Sequence, residues 1–195
     1  MKRQIGTVLV LCVLLLSLAG CKYLKNPEYE LAVSVEAGVT GTPTSGIYAH
    51  TDLEEVAYKY APENSQHTVE VLIDDGAANP ESSLIIYHDT VLVARLFDPR
   101  GPWSITALDA NSNASKFTVM LYGGDRLSGT FSDNRGHGGT WLAGPGSIVM
   151  LYGDLAGHKF VAPIPAMKGD WTWDNGTSQG TWSAIRIDAG SFRWR

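Results

Sequence analysis

The groups able to do chemistry are few and scattered. Cysteine occurs twice, as Cys12 and Cys21, and Cys21 directly follows Leu18-Ala19-Gly20. The histidines His50, His67, His88, His137 and His158 show no i, i+4 pair and have no cysteine nearby, so only the fold could assemble a zinc site. Gly176-Thr177-Ser178-Gln179-Gly180 spells Gly-x-Ser-x-Gly, and His137-Gly138-Gly139 mimics an oxyanion-hole segment. A nucleophile elbow, however, needs a strand-to-helix turn and a histidine after the serine. No histidine follows His158, and the motif falls in a hairpin pattern. Asp109 to Ser115 begins like a calcium loop but lacks glycine at the sixth place, and Met120 stands where the twelfth needs glutamate. It reads as an Asx-rich hairpin. The pairs Glu54-Glu55 and Asp74-Asp75 read as solvated charge, with weak divalent-cation binding as the alternative. The expectation is no catalytic residue, no metal site and no cofactor.

The thiol of Cys21 has the clearest context. Lys2 and Arg3 precede an apolar run from Val8 to Leu16, and small residues follow. A basic head, a short apolar run and small residues make a secretory signal peptide, here residues 1–20. The run is too short for a membrane span, which needs about 20 apolar residues. Leu18-Ala19-Gly20-Cys21 resembles the lipobox of bacterial lipoproteins. That resemblance implies cleavage before Cys21, a diacylglyceryl group on its thiol, and often an acyl chain on the new amino group. Each buried CH₂ contributes about 0.8 kcal/mol, so two or three chains anchor where one would not. Cys12 then leaves with the signal, and no disulfide remains although the compartment permits one. Residues 21–30 become the lipidated cysteine and tether. Lys22 after the cysteine, instead of Asp, resembles the outer-membrane sorting pattern of enteric bacteria. The expected location is an exported, membrane-anchored one, the outer membrane ahead of the inner.

The remaining chain must fold without staples. Hydrophobic residues make up 44% and charged residues 18%, which excludes a disordered polyelectrolyte. Fifteen Lys+Arg against 20 Asp+Glu gives −5, which excludes a generally basic nucleic-acid binder. The composition changes at Phe97-Asp98-Pro99-Arg100-Gly101-Pro102. Residues 22–95 hold 4 basic and 12 acidic side chains and neither Trp nor Phe; residues 96–195 hold 9 basic and 8 acidic, no Glu, all six Trp and all five Phe. Such a shift across a Pro/Gly-rich segment reads as a boundary, with 97–102 as linker.

The first part, residues 31–96, alternates apolar and polar residues along Leu31–Val35, Val56–Tyr60 and Val69–Ile73, the period of half-buried strands. Leu84–Tyr87 and Val91–Leu96 flank His88-Asp89-Thr90, read as a hairpin. Leu31, Val33, Val35, Gly38, Gly41, Pro43, Gly46, Tyr48, Val56, Tyr58, Val71, Leu84, Ile86, Val91, Val93 and Ala94 together resemble the divergent internalin B-repeat modules of bacterial surface proteins. The family's Gly-Tyr…Trp segment is replaced here by Gln66-His67-Thr68. The resemblance implies a spacer or adhesive β module, not a catalyst.

The second part, residues 103–188, predicts eight short strands: Trp103–Leu108, Lys116–Tyr122, Leu127–Ser132, Gly139–Ala143, Ile148–Tyr152, Lys159–Ala162, Asp170–Trp173 and Gly180–Ile187. Tight-turn sequences separate them, and two echoes recur. Val119-Met120-Leu121-Tyr122-Gly123 returns at Val149 to Gly153, and Gly139-Thr140-Trp141 returns 41 residues later at Gly180-Thr181-Trp182. Repeated hairpins without helical crossovers favour an eight-stranded antiparallel up-and-down β-barrel, which leaves no open edge. The fold class is therefore all-β, a small β module followed by that barrel. Gly101-Pro102-Trp103 opening the first strand and Arg186 in the last resemble the calycin group of lipocalins and avidins. That resemblance implies a Trp at the closed barrel end beneath an Arg from the last strand. Trp103, Trp141, Trp171, Trp173, Trp182 and Arg186 are the candidate ligand-stacking or core residues. Core is the favoured role, because Trp buries so much area in so small a domain. Residues 189–195, with alternating Phe192-Arg193-Trp194-Arg195, read as a tail.

The functional expectation is a membrane-anchored, non-catalytic lipoprotein with a structural or binding role at the bacterial envelope. Its anchoring partner is the membrane, and nucleic acid is excluded. The alternatives are a carrier holding a small apolar or sugar-like ligand in the barrel, and a surface module adhering to protein or glycan.

Overall fold

The computed structural model describes residues 27–155, 157–172 and 178–187. The expectations placed on Leu18, Ala19, Gly20, Cys21, Trp173 and residues 189–195 lie outside them. Among the described residues there is no helix.

The amino-terminal module contains β1 (Glu28–Val35), β2 (Val39–Thr42), β3 (Gly46–Thr51), β4 (Glu54–Pro62), β5 (Val69–Ile73), β6 (Gly76–Ala78), β7 (Glu81–Ile86) and β8 (Thr90–Leu96). They form a five-stranded sheet, β3-β1-β8-β5-β6, and a three-stranded sheet, β2-β4-β7. Period-two alternation turns Leu31, Val33, Val71, Leu92 and Ala94 of the larger sheet and Tyr58, Tyr60 and Ile86 of the smaller into one core. The expected hairpin at His88-Asp89-Thr90 does not form. β7 pairs with β4, whereas β8 pairs with β1 in parallel and with β5 in antiparallel fashion. The chain changes sheet there, because both strands find their apolar partners across the core instead of beside each other.

The carboxy-terminal part contains β9 (Gly101–Asp109), β10 (Ala114–Tyr122), β11 (Ser128–Asp133), β12 (Gly138–Gly144), β13 (Ser147–Tyr152), β14 (Lys159–Pro163), β15 (Lys168–Thr172) and β16 (Ser178–Arg186). They form a closed antiparallel barrel in which each strand pairs with the next and β16 returns to β9. Closure gives every backbone edge a partner, which an open sheet of this size would lack. Along most strands buried and outward positions alternate. Ile105, Phe117, Val119, Leu121, Phe131, Trp141, Ile148, Met150, Phe160 and Trp182 are all buried in one cluster. Eight strands enclose little more than their own side chains, and here those side chains fill the interior. Ile164 and Met167, in the β14–β15 connection, close one end.

Residues 97–102 are packed, not slack. Phe97 is 4% exposed and belongs to the barrel core, its ring 6.3 Å from that of Trp103. Among the described residues no buried side-chain nitrogen or oxygen lacks a hydrogen-bond partner.

Candidate functional site

Three of the candidate tryptophans are structural by their contacts. Trp103 is 6% exposed and donates its indole N–H to Pro99 O at 2.7 Å. Trp141 donates to Tyr122 O at 2.7 Å and Thr130 O at 3.1 Å. Trp182 donates to Val161 O at 3.0 Å and Asp170 O at 3.1 Å. A buried indole needs a partner for its N–H; strands or loops of the barrel supply it for Trp141 and Trp182, and Pro99 of the preceding segment for Trp103. No edge of these rings remains for a ligand's hydrogen bond.

Arg186 lies opposite Trp103 in the β9–β16 register, with its guanidinium carbon 5.0 Å from the ring centroid. It also donates to Asp98 O and, at 2.9 Å, to Arg100 O. Asp98 holds Arg100 through Nε at 2.9 Å and Nη2 at 2.6 Å, and Arg126 Nε lies 3.5 Å from it. Arg126, in the β10–β11 loop, then makes a two-pronged pair with Glu36 of the amino-terminal module, at 2.7 and 3.1 Å. The Arg126 guanidinium holds the Glu36 carboxyl below its usual range, helped by the N–H of Leu96. Burial pushes Asp98 up, but Arg100 and Arg126 outweigh it and its pKa is lowered. Thr68 adds a second link between module and barrel, accepting from Gly146 N at 2.8 Å and donating to Gly144 O at 3.3 Å. Arg126 at the barrel's closed end thus meets the acidic module through Glu36, while Arg100 and Arg186 are held by the 97–102 segment.

At the opposite mouth a recess of about 190 Å³ is lined by Phe117, Arg135, Leu155, His158, Phe160 and Trp171. The Arg135 guanidinium lies 3.8 Å over the Phe117 ring. Trp171 and Phe160 stack with centroids 6.1 Å apart, and His158 meets Trp171 edge-on at 5.8 Å. Burial, with Arg135 and His137 nearby, lowers the His158 pKa and favours the uncharged ring. Beneath the recess sits Asp133, 3% exposed. It accepts from the N–H groups of Arg135 and His137 at 2.9 Å each, from Arg135 Nη2 at 2.8 Å and from Tyr152 Oη at 3.1 Å. Burial alone would raise the Asp133 pKa; the His137 N–H and the Arg135 donors outweigh it and lower it. The burial of Asp133 has no sequence signal, since nothing local distinguishes it from an Asx-turn aspartate.

The recess is smaller than the 300–1,000 Å³ usual for ligand pockets, and accommodates one small apolar or planar group. Among the described candidate tryptophans Trp171 reaches it; Trp103, Trp141 and Trp182 do not. The Asp109 carboxylate accepts from Asn111 N, Asn113 N and Asn113 Nδ2, each at 2.8 Å, so it organises its own hairpin. Among the described residues no group of three or more His, Cys, Asp or Glu side chains could hold a metal ion. Compared with protein-family models, curated proteins and solved structures, the chain has no significant match in any of the three.

Proposed function

We propose that the chain is an exported bacterial lipoprotein, anchored through Cys21, with a non-catalytic structural or binding role at the cell envelope. The observation that carries the non-catalytic part is the packed barrel: its interior is occupied by side chains whose polar atoms are bonded to the barrel itself. The ion pairs from Glu36 through Arg126 and Asp98 support a stiff two-part body of the kind that spaces or displays a surface. Trp103 beneath Arg186, on first and last strands that pair, supports the calycin resemblance. The B-repeat resemblance of residues 31–96 and the outer-membrane location rest on the sequence patterns above.

Cys21→Ser is the direct test of the anchor. The variant should be unprocessed or released to the soluble fraction, and should not incorporate labelled lipid. Unchanged, lipid-labelled membrane protein from the Ser variant would overturn the reading.

The mouth recess favours a second reading, a carrier for a small apolar or planar ligand. Quenching of Trp fluorescence by indole or a simple sugar, lost in Phe117→Ala, would support it over the first.

A further inference from the structure

Three exposed apolar side chains gather where the described chain begins. Leu53, Tyr87 and Ile85 are 69%, 60% and 54% exposed. Leu53 sits at the tip of the β3–β4 hairpin with φ 62°. Bulky side chains seldom adopt that backbone, and here it holds a leucine out at a tip. Leu53 N donates to Ile86 O at 2.7 Å, and the register Glu54↔Ile86, Glu55↔Ile85 places Leu53 one step on, beside Tyr87. Asp52 N donates to Pro27 O at 3.0 Å, which ties the same tip to the point where the tether enters the fold. The module is bonded to the barrel through the loops carrying Arg126, Gly144 and Gly146, at the end opposite the recess.

We propose that this tip is a lipid-contacting surface, with Leu53 and Tyr87 resting in the interfacial layer of a zwitterionic phospholipid membrane. The proposal rests on the anchor at Cys21. Six residue steps separate Cys21 from Pro27, and at most about 3.6 Å per residue confines Pro27, to which Asp52 of the tip is bonded, to within about 22 Å of an acylated Cys21. Confinement makes a weak contact effectively intramolecular. A leucine and a tyrosine suit the boundary between headgroup and acyl chain, where an amphipathic ring finds both environments. Glu28, Asp52, Glu54 and Asp89 surround the tip. Their charge repels anionic headgroups, so the surface matches a zwitterionic layer.

The chain from Cys21 onward has one thiol. Coupling it through Cys21 to a maleimide lipid therefore supplies the anchor in vitro, whether or not the thiol is acylated in cells. Phosphatidylcholine vesicles carrying a diazirine phospholipid are then irradiated and adducts mapped by peptide. Adducts should concentrate in the peptides holding Leu53 and Tyr87, several-fold above the Asn111–Asn113 hairpin at the far barrel mouth. Leu53→Asp with Tyr87→Asp should bring them down to that background with an unchanged thermal melt, and admixed phosphatidylglycerol should weaken labelling of the unaltered chain. Even labelling, labelling concentrated on the barrel, labelling indifferent to the double variant, or labelling strengthened by phosphatidylglycerol overturns the proposal. Failure of the anchor itself would appear separately, in the fractionation of the Cys21→Ser variant.

Discussion

Trp141 stands directly across the β11–β12 pair from Gly129, and its indole occupies the space that a side chain at 129 would need. A Cβ on Gly129 would collide with Tyr122 O and lie 2.7 Å from Trp141 Nε1. Trp182 likewise stands across β15–β16 from Gly169, where an added Cβ would collide with Val161 O. In both places the indole N–H passes over a glycine to a carbonyl of the strand beyond, joining three strands at once. Gly129→Ala should therefore destabilise the barrel by about 1–3 kcal/mol through overpacking. Trp141→Phe should cost about 1–3 kcal/mol for the lost bond and poorer fill. Urea unfolding of each variant checks both values.

Trp103→Ala should cost about 3–5 kcal/mol, since it empties a buried site and strands the Arg186 guanidinium. Arg186→Lys should cost about 0.5–1 kcal/mol, because an ammonium neither stacks flat nor forks to two carbonyls. The two substitutions share one contact, so their double-mutant cycle should be non-additive.

Asp133→Ala should rank among the most damaging single changes at the barrel mouth. It removes the acceptor for two backbone N–H groups, the Arg135 side chain and the Tyr152 hydroxyl. Buried donors left unpaired cost about 1–3 kcal/mol each, and partial exposure of Arg135 relieves some of that. Tyr152→Phe removes one donor and should cost only about 1 kcal/mol. Thermal melts rank the two.

Acid should weaken the hold of the module on the barrel. Glu36 and Asp98 have lowered pKa values in the folded chain. A carboxylate of that kind stabilises fully above its unfolded pKa, about 4. The contribution is lost as pH falls through the lower folded value. Stability should thus decline from about pH 5 towards pH 3, and Glu36→Gln should flatten the decline. At pH 7 that variant should lose about 1 kcal/mol, after allowance for solvent screening of a pair that is about one-third exposed. Melting temperature against pH, for both chains, is the measurement.

A fragment beginning at Phe97 should melt cooperatively, because the barrel closes on itself and Phe97 completes its core. A fragment beginning at Pro99 lacks that ring and should melt at lower temperature.

The eight barrel strands were legible because each is short, most alternate cleanly, and every connection between them but Ile164–Met167 carries Gly, Asn or Asp. Pairing of β9 with β16 followed from the count of strands, and with it the meeting of Trp103 and Arg186. In the amino-terminal module β2, β3 and β6 were not foreseen: Val39–Thr42 is short and glycine-bearing, Gly46–Thr51 mixes small and polar residues, and Gly76–Ala78 is three residues long. Alternation reports that a strand has two faces, not which sheet it joins, so the passage of the chain between β7 and β8 was misread. Glu36 and Arg126 are 90 residues apart, and no local pattern announces a pair at that distance. The glycines opposite Trp141 and Trp182 were visible as letters, but their meaning depends on register.

The seam between β9 and β16 makes the barrel's completion a late event in synthesis. β9 waits, paired on one side by β10, until the strand that comes last of the eight has emerged. During that interval β9 and β15 each show a row of unpaired N–H and C=O groups to any neighbouring chain. Contacts so distant in sequence also form slowly. A stalled or truncated chain lacking Ser178–Arg186 would keep those rows exposed, with Trp103 stripped of Arg186. Such a fragment should stick to its own kind, and quality control acting on it would meet an adhesive sheet instead of a sealed cylinder.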